Sequence, residues 1–266
     1  RAYVSAWDQQ GNTLYSLNLH KGLRDRASEE KLVSRLLVYA LMLLSGLDSD
    51  LELKLTPRDN LEIERTEHPA PLEQLVLGDA AWVVVRAGKM IVEGEAPGTL
   101  LPGSFSPLHQ GHHGLAQTAA KISGSEVGFE LSVTNVDKPD LEESEILKRL
   151  AQFTAGETAV LTRAETFFMK ARLFPGRTFV VGWDTAIRLV AQRYYGDDRD
   201  AMMMALAEML AAGTRFLVAG REDQGAFKTL SDVPIPEGLE GLFQGIPEGQ
   251  FREDISSTQL RAMGSN

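Results

Sequence analysis

The chain has 266 residues, 43% of them hydrophobic, a formal net charge of −10 and no cysteine. That length admits one large domain or two smaller ones with packed cores, and the lack of cysteine excludes a disulfide framework or a thiolate metal site. The acidic balance, with no basic block, argues against nucleic acid or an anionic membrane as partner.

Residues 2–7 and 13–19 read as strands joined by a Gln9-Gln10-Gly11-Asn12 turn. A helix is expected over 28–44, with Gly46 as its stop, and its apolar run 36–44 predicts burial. That run is the longest in the chain and far short of the ~18 residues a membrane span needs, so no membrane partner is expected and a cytoplasmic location is. The chain opens on Arg1 inside a strand pattern, and its natural N-terminus is expected upstream. Further strand-like runs are 51–55, 60–64, and the pair 81–86 and 89–92 around Ala87-Gly88. Pro97-Gly98 then punctuates the chain. The expectation is an α+β domain over 1–96, mostly antiparallel, and a second domain over 97–266.

After Gly98 strands and helices alternate, the pattern of an α/β doubly wound parallel sheet. Strands are expected at 99–101, 127–133, 159–162, 178–181, 215–219 and 242–244. Helices are expected from about 110, where Leu115, Ala119 and Ile122 share a face, and at 142–153, 165–173, 185–195 and 200–212. Ligands of such sheets bind beyond the carboxyl ends of the strands, where strand order reverses.

The stretch Gly103-Ser104-Phe105-Ser106-Pro107-Leu108-His109-Gln110-Gly111-His112 follows the first of these strands and opens a helix. A helix N-terminus carries free N–H groups and the positive end of the dipole, which suits a phosphate. Near the other end, Ile255-Ser256-Ser257-Thr258-Gln259-Leu260-Arg261 puts hydroxyls and a guanidinium at a second helix start. The five histidines, His20, His68, His109, His112 and His113, are too scattered outside the motif for a zinc site, and no metal-ligating set is expected.

The two motifs together resemble the nucleotidylyltransferase superfamily, and within it the nicotinamide/nicotinate mononucleotide adenylyltransferases, over roughly the last two-thirds of the chain. The resemblance implies a Rossmann-like fold and an enzyme that joins AMP from ATP to a pyridine mononucleotide in NAD biosynthesis. It implies ATP, with Mg2+, and a phosphate-monoester mononucleotide as binding partners. His109 and His112 then donate to phosphate oxygens as catalytic groups, with Lys138 and Arg261 beside them. Gly103, Ser104, Phe105 and Gly111 line the triphosphate loop, and Phe105 serves loop packing equally well. Ser256, Ser257 and Thr258 donate to the outer phosphates. Gly182 and Asp184 line the adenosine and ribose; Trp183 stacks on a base or packs in the core, and Arg163 meets the acceptor phosphate. His113 has no place in the motif. The bland alternatives are helix capping for His109, His112, Asp184 and the Ser-Ser-Thr run, and solvation for Arg163 and Arg261.

The antiparallel N-terminal part resembles the amidase domain of CinA-type proteins, whose serine-centred motif would lie upstream of Arg1. A cytidylyltransferase, a phosphopantetheine adenylyltransferase or a catalytically silent nucleotide-binding module are the competing readings, and a homo-oligomer is left open. The choice between amidated and acid mononucleotide is open too.

Overall fold

The computed structural model describes residues 1–8, 11–47, 51–67, 70–134 and 139–252, and the chain divides into two compact units, Arg1–Ala70 and Pro71–Asn266. In the first unit β1 (Ala2–Asp8), β2 (Gly11–Asn18) and β3 (Asn60–Glu67) form an antiparallel sheet in that order. Helix α1 (Arg26–Leu44) is capped by Asp25, whose carboxylate accepts the Ser28 N–H at 2.8 Å. Leu32, Leu36 and Ala40, spaced four apart on one stripe of α1, form the core of this unit with Ala6, Tyr15 and Leu17. The opposite stripe is open: Leu37 and Leu41 are 50% and 53% exposed. The unbroken apolar run therefore does not mean a helix buried all round, because a three-stranded sheet covers one side only.

Residues 51–55 are not a strand as expected. Leu53 and Leu55 do pack on the core, but Arg35 donates to the Glu52 carbonyl at 2.7 Å, and among the described residues no strand of the sheet takes in this segment. The following loop is fixed by a fork in which Arg24 donates to both oxygens of Asp59, at 3.0 and 2.6 Å, while Thr56 donates from its N–H and its hydroxyl. Arg24 and these donors hold the Asp59 carboxyl well below the usual carboxylate range.

The second unit runs α2 (Pro71–Leu77), β4 (Trp82–Arg86), β5 (Lys89–Val92), β6 (Thr99–Pro102), α3 (Gln110–Ser123), β7 (Val127–Ser132), α4 (Glu143–Leu150) and β8 (Thr158–Thr162). It continues with α5 (Phe167–Leu173), β9 (Thr178–Gly182), α6 (Trp183–Leu189), α7 (Arg199–Ala211), β10 (Arg215–Ala219), the hairpin β11 (Arg221–Asp223) and β12 (Ala226–Lys228), and β13 (Phe243–Gly245). The sheet order is β13-β10-β9-β6-β7-β8-β4-β5, parallel from β13 to β8 and antiparallel at β4 and β5. The chain starts the parallel set at its middle with β6, winds outward through β7 and β8, then returns to β9, β10 and β13 on the other side. That is the doubly wound arrangement, and its switch point lies between β6 and β9.

Helices cover both faces. Strand residues Leu100, Phe179, Val181, Phe216 and Val218 pack with α5, α6 and α7, while Leu101, Phe129, Leu131, Val180 and Leu217 pack with α2, α3 and α4. Strand β4 pairs with β8 from Trp82↔Thr162 to Arg86↔Thr158. So α2, β4 and β5 extend the large sheet, and the units divide at 70/71 rather than at 96/97. Locally a β4–β5 hairpin looks like any antiparallel pair, and only its pairing with β8 assigns it. Pattern reading also passed over α2 and the β11–β12 hairpin, each too short for a period to register. The expected helix over 185–195 is α6 followed by a separate 3-10 turn, Gln192–Tyr195.

Candidate active site

Strands β6 and β7 stay paired to Pro102↔Glu130, but β6 and β9 pair only at Thr99↔Thr178 and Leu100↔Phe179. The carboxyl ends of β6 and β9 therefore part, which opens the crevice that a doubly wound sheet offers to a ligand. The motif loop leaves β6 at this point. Its start is pinned by the Gly103 N–H, which donates to the Glu130 carbonyl at 2.9 Å. Phe105 has φ +47 and a fully buried ring, packed edge-on against Phe129, Phe153 and His112. Its side chain is thus a core anchor, and the expectation of a ligand contact from Phe105 is corrected to its backbone alone. A Cβ on residue 103 would stand 2.6 Å from that ring, so Gly103 is required by the loop's own packing. Ser104 is exposed and its carbonyl accepts from Arg149 Nη1 at 3.0 Å.

Gln152, just past α4, holds the same loop from below. Its Oε1 accepts the Leu108 N–H at 2.8 Å and its Nε2 donates to the Phe105 carbonyl at 2.8 Å. Neither Gln152 nor Arg149 was legible as a site residue, because a polar residue at a helix end has no signature until the loop it clamps is in place.

His109 is the N-cap of α3 and His112 lies in the first turn, next to the buried Gly111. The His109 N–H donates to His112 Nδ1 at 3.2 Å, and the two rings lie 3.8 Å apart, tilted by 33°. With Nδ1 accepting, the ring proton of His112 belongs on Nε2. Burial, and then the neighbouring His109 and His113, lower the His112 pKa to about 4. At neutral pH His112 is an uncharged Nε2–H donor held at a helix start. His113 is engaged elsewhere, with Nδ1 2.9 Å from Glu157 Oε1.

Across the crevice β9 ends at Gly182, and Trp183 and Asp184 open α6. A Cβ on residue 182 would sit 2.8 Å from Asp184 Oδ1, so any larger residue there would push that carboxylate aside. The Asp184 carboxylate is 40% exposed and faces Arg188 at 3.0 Å and Arg221 at 3.5 Å. Trp183 packs partly on the core of this face, and its Nε1 is buried with no hydrogen-bond partner among the described residues. Arg163 is tied to α2. Its Nη1 donates to the carbonyls of Leu75 and Val76 at the end of that helix, at 3.2 and 3.0 Å. It caps the helix, while its Nη2 lies 3.8 Å from Asp140 Oδ2 and the side chain is one-third exposed. Lys138, Ser256, Ser257, Thr258 and Arg261 lie outside the described residues. The described chain ends at Arg252 with Phe251 packed against Gly114 of α3, 3.5 Å from its Cβ position, and with the Thr118 hydroxyl donating to the Gln250 carbonyl at 3.3 Å.

Beside the crevice, and unmarked in any motif reading, Lys170 of α5 meets Glu130 of β7 at 2.6 Å, with side chains 8% and 0% exposed. The signal was available: Phe167, Lys170, Ala171 and Phe174 share a helix stripe, so a lysine stands on an apolar face. A cavity of about 270 Å³ lined by Trp82, Glu93, Phe174 and Arg177 lies where the chain approaches β6 and β9 and includes no motif residue. Among the described residues no helix is long and apolar enough to cross a membrane, and no three His, Asp or Glu side chains converge as a metal cage. No protein-family model and no curated protein matches the chain.

Proposed function

We propose that this chain is an adenylyltransferase that joins the AMP of ATP to the phosphate of nicotinamide or nicotinate mononucleotide and releases pyrophosphate. A phosphate-monoester oxygen attacks the α-phosphorus, and the bond from that phosphorus to the pyrophosphate oxygen breaks. The attacking phosphate is already largely anionic at neutral pH, so no general base is needed. Catalysis then reduces to alignment and to donors placed where charge develops. The observation that carries the reading is the neutral Nε2–H of His112, fixed by the His109 N–H at the start of α3. The loop that leads to it leaves β6 where β6 and β9 part. A donor that needs no reorganisation supports transition-state charge better than one that must turn into place.

Gly182 and Asp184 fit the adenosine side, since the half-open carboxylate can accept from ribose hydroxyls. By the resemblance, Ser256, Ser257, Thr258 and Arg261 serve as outer-phosphate donors, with Lys138 on the acceptor side. Mg2+ would arrive on the triphosphate and keep most of its waters, a mode that needs no protein cage. It would supply charge neutralisation on the leaving pyrophosphate. Both substrates are metabolites of the cell interior, which makes the cytoplasm the proposed location.

The test is product detection by mass with ATP or CTP against a panel of monoesters: the two pyridine mononucleotides, phosphopantetheine and phosphocholine. ATP with a pyridine mononucleotide is expected to give dinucleotide and pyrophosphate. Transfer only from CTP, or only to phosphopantetheine, would move the protein to another branch of the chemistry, and no transfer at all would leave a nucleotide-binding module.

A further inference from the structure

We infer that the buried Glu130–Lys170 pair is a positioning device that holds residues 163–166 and α5 in register with the motif loop; that this segment walls the acceptor side rests on the adenylyltransferase reading, the structural part does not. Both Glu130 oxygens are occupied, Oε1 by the Thr162 hydroxyl and Oε2 by Lys170 Nζ at 2.6 Å. The ammonium also lies 5.3 Å from the centre of the Phe167 ring. Two charges taken out of water gain little or nothing in stability over an apolar pair of the same volume. Phe167, Ala171 and Phe174 already hold α5 on the sheet, so a leucine and a methionine at 130 and 170 would serve that purpose as well.

What the pair adds is direction. Helix α5 has seven residues, too few to hold a geometry of its own, and apolar contacts permit it to slide and turn. The carboxylate fixes its rotation and height with one ion pair, and fixes the end of β8 through Thr162. From that end the chain continues through residues 163–166 into α5, with two more ties to β7 and the residues just after it: the Ser132 hydroxyl donates to the Ala164 carbonyl and the Thr134 hydroxyl to the Arg163 carbonyl, each at 2.8 Å. The backbone carbonyl of the same Glu130 takes the Gly103 N–H at the root of the motif loop. One residue therefore sets the 163–166 segment and α5 in register with the loop that carries the histidines. The histidines themselves are held by α3 and Gln152, which do not depend on the pair. Loss of the pair should displace 163–166 and α5, the acceptor side on the proposed reading, and leave the motif loop, its ATP side, in place.

The experiment compares full-length wild type, Lys170→Met, and the double variant Glu130→Leu/Lys170→Met. The single variant strands a buried carboxylate and is expected to lower Tm by about 10 °C, whereas the double variant regains most of it. With folding restored, the double variant should still show a KM for the pyridine mononucleotide raised ~10-fold or more, and a KM for ATP within ~3-fold of wild type, as misplacement of one substrate predicts. Amide hydrogen exchange over 163–168 should quicken by ~10-fold or more while the 110–120 segment keeps its wild-type rates. Wild-type acceptor KM and wild-type exchange in a stably folded double variant overturn the inference. If the wild-type chain transfers nothing to any acceptor, the functional reading fails by itself. Exchange then decides the structural part: faster over 163–168 supports it, and unchanged rates overturn it. Should the apolar double variant not fold, Glu130→Gln/Lys170→Gln carries the same comparison with neutral, hydrogen-bonding side chains.

Discussion

His112 joins two constraints in one ring. Its Nδ1 is spent on the His109 N–H, and its pKa is lowered to about 4 because burial opposes a charged ring. The ordinary value is 6.5, so between about pH 6.5 and 4 the unfolded chain binds a proton there that the folded chain refuses. Stability must then rise with pH across that window and be free of this term above it. Melting curves of wild type and His112→Asn from pH 7 to 4 should show the wild type losing stability more steeply, since Asn can accept the same N–H without titrating. Equal slopes would mean that His112 is solvated like any surface histidine. On the proposed reading His112→Ala lowers kcat by ~10²–10³ with a small change in Tm, the size expected for one lost transition-state donor. Turnover within a few-fold of wild type would return His112 to plain helix capping. Gly103→Ala is the sterical counterpart. The new methyl would overlap the fully buried Phe105 ring, so a loss of ~1–3 kcal/mol by denaturant titration is expected.

At the scale of elements, the reading from sequence succeeded where one period ran long enough and failed where a partner decided. Strand β10 was legible end to end as 215–219, and Val127, Phe129 and Leu131 marked β7 by alternation alone. The motif loop was legible through its resemblance to a known phosphate-binding loop and through the Gly, Pro and His residues that crowd the start of α3. Gln152 was not, since its role exists only once the Leu108 N–H and the Phe105 carbonyl face it across the fold. Nor was the tie of Arg163 to the end of α2, for the same reason: the Leu75 and Val76 carbonyls meet it only across the fold. The clamp makes its own prediction. Gln152→Ala removes its two hydrogen bonds to the motif loop, worth about 1 kcal/mol each, and the freed loop should raise KM for ATP several-fold with little change in acceptor KM. Steady-state kinetics with each substrate varied in turn would check this, and an unchanged KM for ATP would show that the loop keeps its shape without Gln152.

At the scale of the molecule, the alternation after Gly98 predicted the doubly wound sheet, and the strand order bears that out with the motif at the switch point. The unit boundary was not legible, because β4 and β5 belong to the larger sheet only through pairing with β8. A chain starting at Pro71 should therefore fold with a cooperative transition, whereas one starting at Pro97 would bare the β8 edge and melt lower or aggregate. Circular dichroism melts of the two fragments separate these outcomes, and equal melting would contradict the assignment of β4 and β5. The central claim is chemical: a monoester oxygen attacks the α-phosphorus of ATP beside His109 and His112. Its most direct test is a tracer experiment with pyridine mononucleotide carrying ¹⁸O on its phosphate, incubated with ATP, Mg2+ and the full chain. The account predicts that all of the label enters the dinucleotide and none the pyrophosphate, with the rate falling ~100-fold or more in His112→Ala. Label in the pyrophosphate, or no labelled dinucleotide at all, would contradict it.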